Sequence, residues 1–175
     1  MTKFFKNLFR LILIKTPFFI ILNYIKNFFP NYKSKNRSKI IEEQVYKDFS
    51  TINQNHKWFC NNLNFLSNNL KDVISIKNIL EIGSYEGRSA IFFLNNFMDS
   101  NIHCIDTWSG SDEHDNFNFN VIEKNFDSNT SAFWLNNRLK KFKMTSNEFF
   151  LNNTKKYDLI FVDGDHSSNQ VKIDI

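Results

Sequence analysis

Glycine is scarce in this chain: it has four glycines in 175 residues, and two of them, Gly83 and Gly87, lie in one short turn. In a sequence so poor in glycine, this concentration indicates that the backbone there lets another group come close. Cysteine is scarcer still, and Cys60 and Cys104 are isolated from each other without metal-ligand spacing. Neither thiol therefore marks a metal site, and a reduced, cytoplasmic compartment is the expectation.

Long hydrophobic runs are also lacking. Lys15 and Pro17 interrupt the apolar stretch near the N-terminus, which leaves pieces shorter than the roughly 20 residues that a membrane-spanning helix needs. No small-residue cleavage site follows that stretch, which argues against a secretory signal. With 42% hydrophobic and 23% charged residues, the composition is typical of a globular enzyme of one domain.

Acidic residues are absent from residues 1–39, which hold nine lysines and arginines. Residues 40–175 carry the other 13 basic residues against 18 acidic ones, so they are net acidic. A basic stretch rich in Phe, Leu and Ile suits an anionic membrane surface, so residues 1–30 predict peripheral contact with the inner face of the membrane. The alternative is a leader helix that docks on the domain or on a partner chain. Nucleic acid is not expected as a partner, because this basic stretch is rich in apolar residues and residues 40–175 are net acidic.

A strand, a glycine turn and a helix follow one another in the middle of the chain. The short apolar run Asn78–Ile82 predicts a buried strand, and residues 89–98 have the apolar spacing of a helix face. This order places a ligand pocket at the carboxyl end of the strand, beside the helix N-terminus. The turn reads Glu81-x-Gly83-x-x-x-Gly87-x-Ser89. It is more open than G-x-G-x-x-G and has an acid in the strand, which favours a positively charged ligand without phosphate.

Two further predicted strands end in acids. The first ends at Asp106, 23 residues after Gly83, and a carboxylate about 20 residues beyond such a turn is placed to accept ribose hydroxyls. The alternative is that Asp106 only caps the turn that follows it. The second strand contains the apolar run Leu159–Val162, which predicts a central parallel strand. It is followed at once by the polar residues Asp163, Asp165 and His166.

The three segments together resemble class I S-adenosylmethionine-dependent methyltransferases, in a bacterial subgroup related to small-molecule and sugar O-methyltransferases. The resemblance rests on residues 81–89, 106–110 and 163–167. It implies an α/β, doubly wound (Rossmann-like), mostly parallel sheet with helices before its first strand. The implied domains are an N-terminal arm and linker over 1–39, a helical cover over 40–75 and the S-adenosylmethionine-binding domain over 76–175.

The resemblance also implies site residues for methyl transfer to an oxygen of a small molecule or sugar. His166 is the expected general base, and Asp163 is the second catalytic residue, with the alternative that Asp163 holds a divalent metal such as Mg²⁺. Thr145 lies where the family covers the adenine ring. The implied cofactor-binding residues are Glu81, Gly83, Ser84, Tyr85, Gly87, Ser89, Asp106, Thr107, Trp108, Thr145 and Asp163.

The remaining segments also carry expectations. Helices are predicted over 40–49, 56–70 and 117–127, a strand over 138–144, and a short helix opened by a capping box at Thr145. His103 is expected to be packed, and the acidic cluster at 112–115 to be a solvated loop. Trp58 is expected in the core.

The family sheet has seven strands and four are placed here, so C-terminal strands are expected to be missing. The strand over 157–162 is then expected to have an edge without a partner. Three other classes of protein stay open: a nicotinamide-dependent oxidoreductase, a nucleotide-binding module without catalysis, and a membrane-associated structural protein.

Overall fold

The computed structural model describes residues 11–14, 46–52, 59–70, 75–110 and 117–174. Five strands form one sheet: β1 (Leu11–Ile14), β2 (Asn78–Ile82), β3 (Asn101–Asp106), β4 (Leu139–Lys143) and β5 (Leu159–Val162). A 3-10 turn at Phe59–Asn62 leads into the first described α-helix. The helices are α1 (Leu63–Leu70), α2 (Arg88–Asn96), α3 (Phe119–Leu135), α4 (Ser146–Asn152) and α5 (Ser168–Asp174).

The sheet order is β1-β5-β2-β3-β4, and the last four of these strands are mutually parallel. In the central strand β2, Ile79 lies between Leu159 of β5 and Ile102 of β3. The chain builds outward from β2 to β4 and then returns to the other side of β2, so the strand order reverses between β2 and β5. Ligands bind at such a reversal, beyond the carboxyl ends of the strands. The α/β, doubly wound fold expected from the sequence is confirmed.

Apolar side chains are buried on both faces of the sheet. On one face the rings of Phe59, Phe92, Phe93 and Phe161 pack edge to face, with centroids 5.3 to 6.3 Å apart. The other face holds a smaller cluster formed by Leu80, Ile82, Ile105, Phe149, Tyr157 and Val162. Each fully buried side chain of this kind stabilises the fold by about 1.5–3 kcal/mol. The sheet that carries the strand ends is therefore rigidly held.

β1 lies antiparallel to β5, with Leu11 opposite Val162 and Ile14 opposite Leu159. The expectation that this edge of β5 has no partner is therefore wrong. An apolar edge strand presents a row of unpaired N–H and C=O groups, which a second extended segment satisfies. β1 lies inside the predicted arm of residues 1–39, whose other residues fall outside the described ranges, so the division into domains stays a prediction.

Helix boundaries differ from the expectation in two places. Residues 46–49, the end of the helix predicted over 40–49, form a turn in which the Phe49 N–H donates to the Tyr46 carbonyl (3.2 Å). The helix predicted over 117–127 begins later and extends to Leu135, with Asn118 as its N-cap. The predicted capping box is confirmed: Thr145 and Glu148 exchange side chain to backbone hydrogen bonds at the start of α4. Trp58 and the acidic cluster at 112–115 lie outside the described residues.

Among the helices of the described ranges, none has both the length and the apolar character that crossing a bilayer requires.

Candidate functional site

The glycine turn after β2 is wedged between the ends of its two neighbouring strands. Gly83 has a φ of 85°, and its N–H donates to the Ile105 carbonyl at 2.8 Å. A Cβ added to Gly83 would lie 2.3 Å from the backbone oxygen of Asp163. Gly87 also has a φ of 85° and begins α2, but a Cβ there would meet the side chain of Thr130 on α3. Gly83 therefore lets the strand ends approach, and Gly87 lets α2 pack against α3.

Asp106 links two turns through one carboxylate. Its Oδ2 accepts from the Tyr85 N–H (2.8 Å), and its Oδ1 accepts from the Trp108 N–H (2.7 Å). Tyr85 and Trp108 both adopt left-handed backbone conformations, with φ values of 49° and 46°. The Trp108 indole N–H also donates to the Tyr85 carbonyl (2.9 Å). The capping alternative for Asp106 is thus present in the structure, and it fixes the carboxylate at the rim of the crevice.

Glu81 is an acid buried completely inside β2. Neither of its carboxylate oxygens has a hydrogen-bond partner of good geometry, although the side chains of Ser84, Ser89 and Cys104 surround it. Burial raises the pKa of Glu81 to about 7, and the negative charge of Asp163 adds to that rise. An uncompensated carboxylate beneath the glycine turn favours a cation in the space next to it.

Beyond β5, the side chains of Asp163 and His166 lie close together, three positions apart in the loop before α5. The Nε2 atom of His166 lies 3.5 Å from Oδ1 of Asp163. The Asp163 N–H donates to the Ile82 carbonyl (2.8 Å), which ties this strand end to β2. Asp165 accepts from the Ser167 N–H (2.8 Å) at the start of α5. A carboxylate and an imidazole are thereby held together at the mouth of the crevice.

These groups open into one cavity of about 730 Å³. Its lining combines aromatic side chains with the acids Asp106, Asp163 and Asp165 and with His166. The aromatic residues are Phe49, Phe59, Tyr85, Trp108, Phe117 and Phe119.

Most residues predicted from the sequence line this cavity: Gly83, Ser84, Tyr85, Ser89, Asp106, Thr107, Trp108, Thr145, Asp163 and His166. Glu81 and Gly87 do not line it. His103 lies elsewhere, where its Nδ1 hydrogen-bonds the Tyr157 hydroxyl (2.8 Å). Burial, with Lys155 and Lys140 nearby, lowers the pKa of His103 to about 4, as befits a packed, neutral imidazole.

Sequence reasoning missed several lining residues. Ser146, Gln170 and Asp174 join α4 to α5 beside the cavity: the Ser146 hydroxyl donates to Asp174 (2.6 Å), and the Gln170 amide donates to both (3.0 and 2.9 Å). Phe49, Glu86 and Arg88 also line the cavity. Glu86 and Arg88 lie inside the glycine motif, and that position could have indicated that they line the cavity. Nothing in the sequence around Phe49 or Asp174 indicates such a role.

The described residues contain no group of three or more His, Cys, Asp or Glu side chains that could hold a metal ion. Mg²⁺ keeps several of its waters, however, and is commonly bound through one or two carboxylates. A divalent metal at Asp163 therefore stays a prediction.

Comparison with known proteins gives one family and several similar structures. The family model described as a methyltransferase domain matches residues 80–175. No curated protein sequence is significantly similar to the chain. A Staphylococcus aureus protein assigned as a caffeoyl-CoA O-methyltransferase is 20% identical, with a TM-score of 0.47, over 82% of this chain and 66% of its own.

Two further structures resemble the chain to a similar degree. An assigned O-methyltransferase from Klebsiella pneumoniae is 18% identical, with a TM-score of 0.44, over 85% of this chain and 61% of its own. An O-methyltransferase from Bacillus cereus in complex with SAH is 17% identical, with a TM-score of 0.42, over 82% and 60%. The chain thus spans less than two thirds of the length of these structures.

Proposed function

Because this chain belongs to the methyltransferase-domain family, we propose that it transfers the methyl group of S-adenosylmethionine to a hydroxyl oxygen of a small molecule, with sugars as one acceptor class. The observation that carries the proposal is the pair of acids, Glu81 and Asp106, on either side of a glycine turn that opens into the cavity. A cationic nucleoside fits such a site better than a dinucleotide diphosphate, which needs positive or N–H-rich surroundings.

Each part of the cofactor has a proposed partner among these residues. Asp106, already held by two backbone N–H groups, would accept hydrogen bonds from the ribose hydroxyls through its remaining lone pairs. Glu81 would stabilise the positively charged end from beneath the turn. Thr145 and its neighbours on α4 would cover the adenine. The cofactor supplies an electrophilic methyl group for in-line displacement, so the chain's main task is to position the two reactants.

Proton removal from the acceptor hydroxyl is the remaining chemical task. We assign it to His166, because an imidazole has an ordinary pKa near neutrality and this one lines the cavity. Asp163, 3.5 Å from its Nε2, would orient the ring and stabilise the imidazolium that forms. A divalent ion at Asp163 is the alternative way to acidify the hydroxyl. Transfer that stops on chelation and returns with Mg²⁺ would replace the histidine proposal by that alternative.

The cofactor assignment predicts a defined loss in Asp106→Ala. Losing a charged acceptor for the ribose hydroxyls costs about 1.5–3 kcal/mol, or roughly a 10- to 150-fold weaker affinity for S-adenosylmethionine. Calorimetry with S-adenosylmethionine and, in parallel, with NAD measures it. Binding of NAD alone by the unmodified chain would instead favour a nicotinamide-dependent oxidoreductase.

Asp158→Ala is the matched control for this loss. Asp158 also accepts from two backbone N–H groups, those of Lys77 and Asn78 (3.0 and 2.9 Å), but at the opposite end of β2. It should cost stability without weakening the cofactor affinity. Equal affinity of the Asp106 and Asp158 variants would remove Asp106 from the site.

Peripheral attachment to the inner face of the membrane is proposed for residues 1–30. The charge variant Lys3→Gln, Lys6→Gln, Arg10→Gln and Lys15→Gln leaves the strand residues 11–14 unchanged, so the edge of β5 stays covered. Each lost charge should weaken binding to vesicles rich in phosphatidylserine by about 1 kcal/mol. Co-sedimentation with such vesicles measures this, with neutralisation of the exposed Lys140, Lys155 and Lys156 as the control. Equal sedimentation of both variants would refute attachment through this segment.

A further inference from the structure

Glu86, in the middle of the glycine turn, is buried (3% exposed), and its partners are neutral groups. Its Oε2 accepts from the Thr51 hydroxyl (2.6 Å), and its Oε1 accepts from the Ile52 N–H (2.7 Å). Oε1 also accepts from the side-chain amide of Asn125 on α3 (2.8 Å). One carboxylate therefore joins three parts of the chain that are distant in sequence.

Asn129, one turn further along α3, completes the link. Its side chain accepts from the Ser50 N–H (2.7 Å) and donates to the Ser50 carbonyl (2.9 Å), as a neighbouring strand would. The same amide donates to the backbone carbonyl of Glu86 (2.9 Å). Residues 50–52 are thus fastened by side chains, since no helix or strand includes them.

The segment fastened in this way forms a wall of the cavity. Phe49, which lines the cavity, precedes Ser50 directly. The rings of Phe49 and Tyr46 lie 4.2 and 4.6 Å from the guanidinium carbon of Arg88, and the Tyr46 hydroxyl donates to the Arg88 carbonyl (2.9 Å). Residues 46–52 therefore close over the start of α2, next to the glycine turn.

We propose that Glu86 is a positioning residue for cofactor binding: it holds residues 46–52 against the glycine turn and α3, so that Phe49 stands as a wall of the cofactor cavity. The inference rests on the proposed function. The Glu86 carboxylate is almost completely buried and accepts hydrogen bonds from three donors, none of which is charged. A turn at the protein surface does not need so many buried contacts. Glu86 lies on the turn that carries Gly83 and Gly87, and it lines the cavity itself, so its loss is expected to affect cofactor binding.

Two substitutions separate positioning from a direct effect of charge. Glu86→Ala removes every acceptor, which displaces the wall and should weaken binding of S-adenosylmethionine and S-adenosylhomocysteine alike by roughly 10- to 100-fold. Glu86→Gln keeps Oε1 for Ile52 and Asn125, and its amide can donate to the Thr51 hydroxyl, which rotates to accept. It should stay within about threefold of the unmodified chain for both ligands, which corresponds to less than one hydrogen bond.

The readout is calorimetry with both ligands, beside thermal unfolding without ligand. A charge that acts on the sulfonium would make Glu86→Gln as weak as Glu86→Ala for S-adenosylmethionine while sparing S-adenosylhomocysteine, and that result would overturn positioning. So would a folded Glu86→Ala chain of unchanged affinity. An unmodified chain that binds neither ligand would overturn the proposed function and the positioning with it.

Asn129→Ala keeps the proposal testable if Glu86→Ala fails to fold. Asn129 is half-buried and lies outside the cavity, so its loss should spare the fold. The variant loses three hydrogen bonds to Ser50 and Glu86. It should weaken the affinity for both ligands about three- to tenfold, because only part of their contribution is transmitted to the cavity. Ser128→Ala, at the exposed neighbouring position, is the control and should change nothing. Equal affinities for these two variants would overturn the positioning role.

Discussion

His166→Gln is expected to lower the rate of methyl transfer by about 10²- to 10⁴-fold, the usual contribution of a general base. Binding of S-adenosylmethionine should stay largely intact, because the imidazole is proposed to touch the acceptor and not the cofactor. The measurement is transfer of labelled methyl groups to a panel of sugars and small hydroxyl compounds, with cofactor affinity measured in parallel. A pH dependence of the rate that vanishes in the variant would identify the titrating group as this imidazole.

His103→Gln is the control for this experiment. The His103 ring is bonded to Tyr157 on the second face of the sheet, and it does not line the cavity. Its replacement should leave the rate of transfer unchanged. If the His166 variant kept the rate of the unmodified chain, the base would have to be another group, and Asp163 or Asp165 would be next in line.

The crevice could be predicted from the sequence because its parts follow from the ends of strands. The acids at the ends of β2, β3 and β5 are Glu81, Asp106 and Asp163, and they come together as soon as these strands are parallel and adjacent. Hydrophobic runs fix which segments become strands, and the glycine turn fixes which end of the sheet opens. For this reason Gly83, Asp106, Asp163 and His166 could be named without a structure.

The part of the lining that Phe49 supplies could not be predicted in the same way. Residues 46–52 are placed by Glu86 and Asn129, which lie 34 to 79 positions away in sequence. Nothing in the sequence of 40–49 reveals those hydrogen bonds, and a helix was predicted there, whereas residues 46–49 form a turn. The pairing of β1 with β5 was missed for a related reason, because a four-residue strand leaves too short a pattern to distinguish from its apolar surroundings.

Glu81 is expected to lower the stability of the fold, and this suggests that it is kept for ligand binding. A carboxylate without good hydrogen-bond partners inside a sheet destabilises the fold when it is ionised. A cationic ligand above the turn would compensate that charge, so the acid is expected to be retained for binding at the expense of stability. Stability measured without ligand isolates the cost.

Glu81→Gln is expected to stabilise the ligand-free chain at pH 8 and to have little effect at pH 4.5. The carboxyl has a pKa of about 7 in the folded chain against 4.5 when unfolded, so the folded state binds more protons between those values. Stability is therefore lost as the pH rises from about 4.5 to about 7, by roughly 3 kcal/mol for this one group. Urea unfolding at several pH values measures it as the difference between the variant and the unmodified chain, which cancels the opposite contribution of His103.

Glu123→Gln provides a control of opposite sign. Hydrogen bonds from Lys141 and Lys143 lower the pKa of Glu123, so its contribution to stability is present above the unfolded pKa and lost as the pH falls. Its glutamine variant should be slightly less stable than the unmodified chain at pH 8, where the Glu81 variant is more stable. If both variants shifted in the same direction, or if the Glu81 difference did not change with pH, the carboxyl of Glu81 would be ionised throughout, and a partner for its charge would have to exist in the ligand-free chain.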